Sequence, residues 1–235
     1  MRCAVVDHRI TAEIERKLLN YADRVLRLSP HPSLPAPVAS HPDMLMWCHR
    51  DRIITFADYA PLAKEAFDVL TDMGYNILLE KAPLQGGYPH DVPLNCATVG
   101  NKLIANTKTA SKLILEEGLE ALHTRQGYAK CATVTVSDNA IISADPSVCQ
   151  AAEKSGIQVL AIQQGHVCLD GYDTGFIGGC SGVTESEVLF TGDLSAHPDG
   201  QRIVDFCAAH GKSAISLSSS PLYDYGTVFF LQSFK

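Results

Sequence analysis

Four aspartates and one cysteine occupy corresponding positions in a pattern that recurs along the chain. Its clearest copies begin at Tyr88, Tyr128, Tyr172 and Tyr223, which are 40, 44 and 51 residues apart. An acid or a cysteine follows each tyrosine within three positions, and an earlier copy, His41-Pro-Asp43, keeps the acid alone. If the copies close into a ring, one cavity collects Asp43, Asp91, Cys131, Asp173 and Asp224. Grouped carboxylates bind a cation and a thiolate is a nucleophile, so this set is suited to chemistry on a cationic substrate.

The segments between these positions predict one supersecondary unit that is used repeatedly. In the second unit, the sequence predicts strands over 44–47, 52–56 and 75–79 and a helix over 61–73, in the order strand, strand, helix, strand. The third unit is predicted to have a helix over 110–122. The first unit lacks its first strand, and residues 227–231 form an extra strand at the other end of the chain. We therefore expect the two ends to complete one unit of a closed propeller.

Composition limits the class of protein and of partner. The chain has 235 residues, of which 46% are hydrophobic and 19% are charged, as in an ordinary soluble globular protein. We expect a single domain over residues 1–235. A net charge of −7 disfavours nucleic acid and permits small cationic partners. No apolar run approaches the roughly 18 residues of a membrane span, so we expect a cytoplasmic protein without membrane contact.

The cysteine and glycine patterns indicate neither a metal nor a cofactor. The eight cysteines form no Cys-x-x-Cys pair, which argues against a zinc ribbon and a thioredoxin-type site. Gly178-Gly179 lies in a glycine-dense turn but lacks the lysine and the spacing of a phosphate-binding loop. The turn instead suggests close approach of the backbone to a ligand or to a neighbouring strand.

The repeat pattern, with Asp, His and Cys before the first strands, resembles the pentein superfamily over essentially the whole chain. This is the five-bladed α/β propeller of arginine deiminase, dimethylarginine dimethylaminohydrolase and the amidinotransferases. The resemblance implies that acids in a central channel grip a guanidinium group, that a His carries protons and that a Cys attacks the guanidino carbon. His41-Pro-Asp43 resembles the family's His-x-Asp element. By the same resemblance, the expected guanidinium ligands are Asp91, Asp173 and Asp224.

The chain departs from the family in the position of its cysteine. The nucleophile of these enzymes usually lies near the C-terminus, whereas here Asp224 occupies that repeat and no cysteine follows Cys207. The replacements are Cys131, at a repeat position, and Cys180, in the glycine-rich turn, and we favour Cys131. Lys130 would lower the pKa of the Cys131 thiol if the two side chains approach, and it would then also contact the substrate.

Several alternatives stay open at this level. His41 fits an active site and a solvated loop equally, and His90 and His166 are further candidates for the proton carrier. The proline-rich segment 29–41 is either a tether or a lid. The whole chain is either a hydrolase or amidinotransferase of small guanidines, or a binding module like the ribosome anti-association initiation factor, which resembles penteins without being an enzyme. The substrate and the oligomeric state are not indicated.

Overall fold

The chain folds into five three-stranded sheets in a computed structural model that describes residues 1–234. The strands in these residues are β1 (Arg2–Asp7), β2 (Arg24–Leu28), β3 (Met46–His49), β4 (Arg52–Phe56), β5 (Asn76–Glu80), β6 (Ala97–Val99), β7 (Lys102–Ala105), β8 (Glu120–His123), β9 (Thr133–Ser137), β10 (Ala140–Ser143), β11 (Gln158–Ala161), β12 (Ser181–Val183), β13 (Glu187–Phe190), β14 (Ser213–Ser216) and β15 (Phe229–Gln232). The α-helices in the same residues are α1 (Ala12–Leu18), α2 (Pro42–Leu45), α3 (Lys64–Asp72), α4 (Lys112–Leu115), α5 (Pro146–Lys154) and α6 (Gly200–Ala209). Short 3₁₀ helices cover Ala36–Val38 and Leu194–Ala196.

Each complete unit has the same topology. The middle strand pairs antiparallel with the first strand and parallel with the third, as β4 does with β3 and β5. A parallel pair needs a crossover, and helices α3, α4, α5 and α6 supply it in the four complete units. The predicted order of strand, strand, helix and strand is therefore confirmed.

The two ends of the chain form one sheet. Strand β15 pairs antiparallel with β1, placing Leu231 opposite Cys3, and β1 pairs in parallel with β2. The C-terminal strand thus takes the place of the first strand that the N-terminal unit lacks. This pairing closes the ring, as the half-units at the two ends predict.

Two elements differ from the sequence prediction. The helix expected over 110–122 ends after Leu115, because Gly118 turns the chain at a φ of +78° and residues 120–123 then pair with β7 as strand β8. The strand expected over 44–47 begins only at Met46, since Pro42 fixes a φ suited to the first turn of α2.

The first strands of neighbouring units surround the axis of the ring. Strand β9 contacts β6 and β12, and β12 also contacts β15. The turns that precede these strands therefore meet at one end of the axis, and the side chains of the strands meet further along it. None of the helices formed by residues 1–234 has the length and hydrophobicity needed to cross a membrane.

Candidate active site

A cavity of about 200 Å³ lies where the turns before the first strands meet. We name it the turn-side cavity, and its lining residues are Val38, His41, Met44, Asp91, Tyr128, Cys131, Leu169, Tyr172, Thr174, Phe176 and Asp224. The repeat therefore brings a thiol, an imidazole and two carboxyl groups to one enclosed space. A cavity of this size suits a ligand smaller than a typical drug molecule.

Cys131 is held by the side chain of Asn95. The Asn95 carboxamide oxygen accepts hydrogen bonds from the backbone N–H groups of Lys130 (2.8 Å) and Cys131 (3.1 Å), and its Nδ2 donates to Cys131 Sγ at 3.0 Å. The same Nδ2 donates to the backbone oxygen of Asp43 at 3.1 Å. One buried amide thus fixes the thiol relative to the turn that carries Asp43.

Asp43 lies beneath the thiol and is fully buried. Its Oδ2 accepts a hydrogen bond from Thr227 Oγ1 at 2.7 Å, whereas its Oδ1 has no hydrogen-bond partner within residues 1–234. Burial raises the pKa of this carboxyl group because the charged form loses its hydration. Asp43 is therefore a carboxyl group that exchanges protons more readily near neutral pH than an exposed aspartate does.

Asp224 also lines the turn-side cavity and is held by backbone donors. Its Oδ2 accepts from the N–H of Phe176 at 2.8 Å and its Oδ1 from the N–H of Gly226 at 2.9 Å. A Cβ added at Gly179 would overlap the Asp224 carboxylate, so the glycine-rich turn permits the close approach of the backbone that its sequence suggests. Burial raises the pKa of Asp224, and the nearby Asp43 adds to this shift.

His41 is buried between two aspartates. Its Nδ1 lies 3.8 Å from Asp224 Oδ1, and its Nε2 lies 3.7 Å from Asp7 Oδ2 and 3.2 Å from Arg9 Nη2. A guanidinium only donates, so Nε2 is the acceptor and the proton of the neutral ring is on Nδ1, facing Asp224. Burial lowers the pKa of His41, although Asp224 and Asp7 oppose this effect. The free protein therefore has a neutral imidazole at neutral pH.

Arg9 keeps Asp7 ionised beside this imidazole. Its Nε and Nη2 donate to the two Asp7 carboxylate oxygens at 3.0 and 2.8 Å. Burial alone would raise the pKa of Asp7, but these hydrogen bonds outweigh it and lower the pKa. The pair therefore forms a fixed support for His41.

Asp91 and Tyr128 complete the polar lining. Tyr128 OH donates to Asp91 Oδ2 at 2.8 Å, while Asp91 Oδ1 is buried and has no partner within the described chain. Burial raises the pKa of Asp91. A buried acceptor without a donor is costly, so this oxygen is a natural place for a ligand N–H group.

The Cys131 thiol is neutral in the free protein. Burial raises its pKa well above the usual value, and the carboxyl groups of Asp43 and Asp224 raise it further. Lys130 does not line this cavity. Burial lowers the pKa of Lys130, and the nearby Asp43 and Cys131 groups oppose this effect, so the expected influence of Lys130 on the thiol stays a prediction. Lys130 and Cys131 lie in a turn that is closed by a hydrogen bond from the Ala132 N–H to the Tyr128 backbone oxygen.

Other predicted site residues also lie elsewhere. Asp173 is exposed, and its neighbours Tyr172 and Thr174 line the turn-side cavity in its place. Cys180 is fully buried in an apolar cluster, and burial raises the pKa of its thiol well above the usual value. His90 and His166 are exposed and outside the turn-side cavity.

The sequence reasoning missed three residues that hold the site. Asp7 ends strand β1, two positions before Arg9, and β1 is the middle strand of its sheet, so Asp7 falls outside the pattern of turns that precede first strands. Asn95 lies just before strand β6, and Tyr128 lies in the turn before strand β9. Only Tyr128 belongs to the tyrosine pattern. Within residues 1–234, no group of three or more His, Cys, Asp and Glu side chains has a geometry that could hold a metal ion.

A sequence model of a family of unknown function, DUF6873, matches residues 5–229. The chain belongs to this family. No curated protein matches the sequence.

Three solved structures of dimethylarginine dimethylaminohydrolase are similar to this DUF6873 chain. The enzyme from Pseudomonas aeruginosa, in a cysteine-to-serine variant with citrulline, has a TM-score of 0.55 and 11% identity over 93% of this chain and 91% of that chain. An adduct with S-methyl-L-thiocitrulline gives 0.57 and 11% over 93% and 92%, and an adduct with 4-chloro-2-hydroxymethylpyridine gives 0.55 and 12% over 92% and 92%. These likenesses show that the chain has the pentein fold.

Proposed function

We propose that this chain is a guanidino-group modifying enzyme that acts on a small cationic guanidine or amidine through Cys131. The observation that carries the proposal is the shared cavity: Cys131, His41, Asp91 and Asp224 all line it. The thiol is the nucleophile, the imidazole carries protons and the carboxylates hold the cation. Both hydrolysis and amidine transfer fit this set of groups.

The carboxylates select a planar cation. A guanidinium presents paired N–H donors, and the partnerless Oδ1 of Asp91 is an acceptor ready for one of them. Asp224 adds a second carboxylate to the same cavity. Buried carboxyl groups with raised pKa values lose their protons when a cation arrives, because the cation favours their charged form. Binding therefore restores the charge that the empty cavity suppresses.

The bound cation also prepares the thiol. Its charge lowers the pKa of Cys131, and the thiol proton passes to the Asp224 carboxylate, which lines the same cavity. Sγ then bonds to the guanidino carbon, and the C–N bond to the leaving amine breaks as Asp224 returns the proton to that nitrogen. A positively charged S-linked thiouronium remains on Cys131. Charge and protons balance at this point.

Water completes the hydrolytic reaction. Its oxygen attacks the thiouronium carbon and its proton passes to the His41–Asp224 pair, whose Nδ1 and Oδ1 are 3.8 Å apart. The C–S bond then breaks, the remaining hydroxyl proton returns to sulfur, and the proton held by the pair passes to the amine, so the products are a urea derivative and an ammonium ion. In an amidinotransferase, an acceptor amine takes the place of water.

The comparisons support the class of substrate without identifying it. The similar structures are named as dimethylarginine dimethylaminohydrolase, and one of them holds citrulline, a urea derivative. Their identity to this chain is 11–12%, so the proposed chemistry rests on the groups that line the cavity.

A guanidinium-binding module is the second candidate. It is favoured by the raised pKa of Cys131, which leaves the thiol unreactive until a cation arrives. On this alternative, the carboxylates bind the ligand and the thiol only fills space. The two candidates share the binding step and differ in turnover.

The test measures binding and turnover on the same protein. Arginine and agmatine should raise the melting temperature, whereas neutral citrulline should not, because only a cation compensates the carboxylates. Mass spectrometry of the same mixtures should detect a urea derivative with wild type and none with Cys131→Ala. Cys168→Ala, which removes an exposed cysteine, is the matched control and should retain turnover. Stabilisation without product across the guanidine panel would favour the binding module, and no stabilisation would refute both candidates.

A further inference from the structure

A second cavity of about 250 Å³ lies further along the axis, between the first strands of the units. We name it the strand-side cavity, and its lining residues are Trp47, Cys48, Cys96, Thr98, Lys130, Thr135, Ser181, Gly182, Val183, Thr227, Val228, Phe229 and Phe230. In each unit, the residues that line the strand-side cavity come later in the sequence than the residues that line the turn-side cavity; Lys130 is the exception, because it precedes Cys131. The two cavities therefore lie at successive depths along one axis.

Two residues that line the strand-side cavity each carry a buried polar atom without a hydrogen-bond partner within residues 1–234. Trp47 is 2% exposed, and its Nε1–H has no hydrogen-bond partner within residues 1–234. The buried hydroxyl of Thr98 is also without a partner in that part of the chain. An indole N–H only donates, so a ligand that satisfies Trp47 must supply an acceptor.

Lys130 adds a positive charge to this cavity. Its Nζ makes one long hydrogen bond, to the backbone oxygen of Thr133 at 3.4 Å, and lies 5.9 Å from the centre of the Phe229 ring. None of the described residues that line the cavity is acidic. Burial raises the pKa values of the Cys48 and Cys96 thiols to about 12, so neither thiol adds negative charge.

The remaining wall is apolar. Val183, Val228, Phe229 and Phe230 line the cavity beside the donors. Inorganic phosphate would leave these side chains without contacts and would require more donors than the cavity offers. A carboxylate with a short hydrocarbon body satisfies both the donors and the apolar wall.

We propose that the strand-side cavity binds a small carboxylate, with its oxygens facing Lys130, Trp47 and Thr98 and its hydrocarbon body against Phe229 and Phe230. This site is separate from the guanidine chemistry of the turn-side cavity. The nearest charge on that side is Asp43, which attracts the Lys130 ammonium group. A carboxylate ligand shares that ammonium group with Asp43.

The single tryptophan of the chain makes the site directly observable. Isovalerate should change the emission of Trp47 saturably in the full-length protein, and the neutral isostere isovaleramide should not. Lys130→Met should weaken isovalerate binding at least tenfold, since a charged hydrogen-bond partner is lost. Lys108→Met, which removes an exposed lysine, is the matched control and should bind as wild type does.

Thr98→Val provides a second variant if Lys130→Met does not fold. It keeps the side-chain shape, removes one donor and should weaken isovalerate binding several-fold. The proposal is overturned if isovalerate gives no saturable change, if isovaleramide binds equally well, or if inorganic phosphate binds more tightly than isovalerate. Equal affinity for isovalerate in wild type and both variants would overturn it as well. None of these outcomes depends on turnover of a guanidine.

Discussion

The two cavities on the axis are built by the same repeat but carry opposite charge. The turn-side cavity holds the carboxyl groups of Asp91 and Asp224, and the strand-side cavity holds the ammonium group of Lys130. The carboxyl groups come from turns, where free backbone N–H groups are available to bond Asp224. The backbone N–H groups of the strands are already bonded within the sheets and cannot hold a carboxylate. Most side chains that the strands direct toward the axis are therefore uncharged.

This difference shows how a repeat can separate two kinds of chemistry over a short distance. Asp43 and Thr227 lie between the cavities, joined by a 2.7 Å hydrogen bond, and Thr227 also lines the strand-side cavity. Asn95 bonds the backbone of both Lys130 and Cys131, which project to different cavities. A small set of buried polar contacts therefore separates the two cavities, and we name these contacts the partition.

Removal of the C-terminal strand should have the largest effect, because both cavities depend on it. Deleting residues 223–235 removes Asp224 from one cavity, Phe229 from the other and strand β15 from its pairing with β1. We expect loss of the cooperative thermal transition, measured by circular dichroism. A truncated protein that still melts cooperatively would contradict the closed ring.

A reciprocal pair of substitutions should separate the cavities. Asp224→Asn keeps the shape and removes the charge, so agmatine affinity should fall about 10–100-fold, from loss of about 1.5–3 kcal/mol of charged hydrogen bonding. Isovalerate affinity should change little. Lys130→Met should give the reverse pattern, and calorimetric titration of both ligands into both variants measures it. A variant that weakens both ligands equally would show that the cavities are not independent.

Substitution of the partition should affect both cavities moderately. Asn95→Ala leaves two backbone N–H groups and Cys131 Sγ without their partner. We expect the free energy of unfolding to fall by about 1–3 kcal/mol, measured by urea denaturation. Asn101→Ala, at an exposed turn amide, serves as the control. Equal stability of the two variants would show that Asn95 does not hold the partition.

The pH dependences of the two ligands should be opposite, with the smallest changes near neutral pH. Burial raises the pKa values of Asp91 and Asp224 from 3.8, so agmatine affinity should weaken as pH falls from 7 and these groups take up protons. Burial lowers the pKa of Lys130 from 10.5, so isovalerate affinity should weaken as pH rises from 7 and the ammonium loses its proton. Titrations from pH 6 to 10 measure both trends. Parallel trends would contradict the charge assignment.

The repeat made the fold and much of the site predictable. Strand β4 forms over Arg52–Phe56 as expected, and β15 pairs with β1, because the half-units at the ends have no other strand to complete them. The tyrosine pattern also brings Cys131, Asp91 and Asp224 to one cavity. These features follow from local periodicity and ring closure.

The direction of individual side chains was less predictable. Asp173 matches the pattern by letter, yet it does not line the cavity, whereas its neighbours Tyr172 and Thr174 do, because successive residues of this turn face different sides. Lys130 faces the second cavity for the same reason. Asn95 acts through contacts 35 and 36 residues away, which no local pattern reveals.

Alkylation of Cys131 by a cationic reagent tests the central claim most directly. 2-Chloroacetamidine carries a positive charge, and 2-chloroacetamide is its neutral isostere, so the ratio of their labelling rates measures activation of the thiol by a bound cation. Mass-spectrometric mapping should show a preference for the amidine at Cys131, loss of that preference in Asp224→Asn, and none at the exposed Cys168. Equal rates of the two reagents at Cys131, or a preference that survives in Asp224→Asn, would contradict the account.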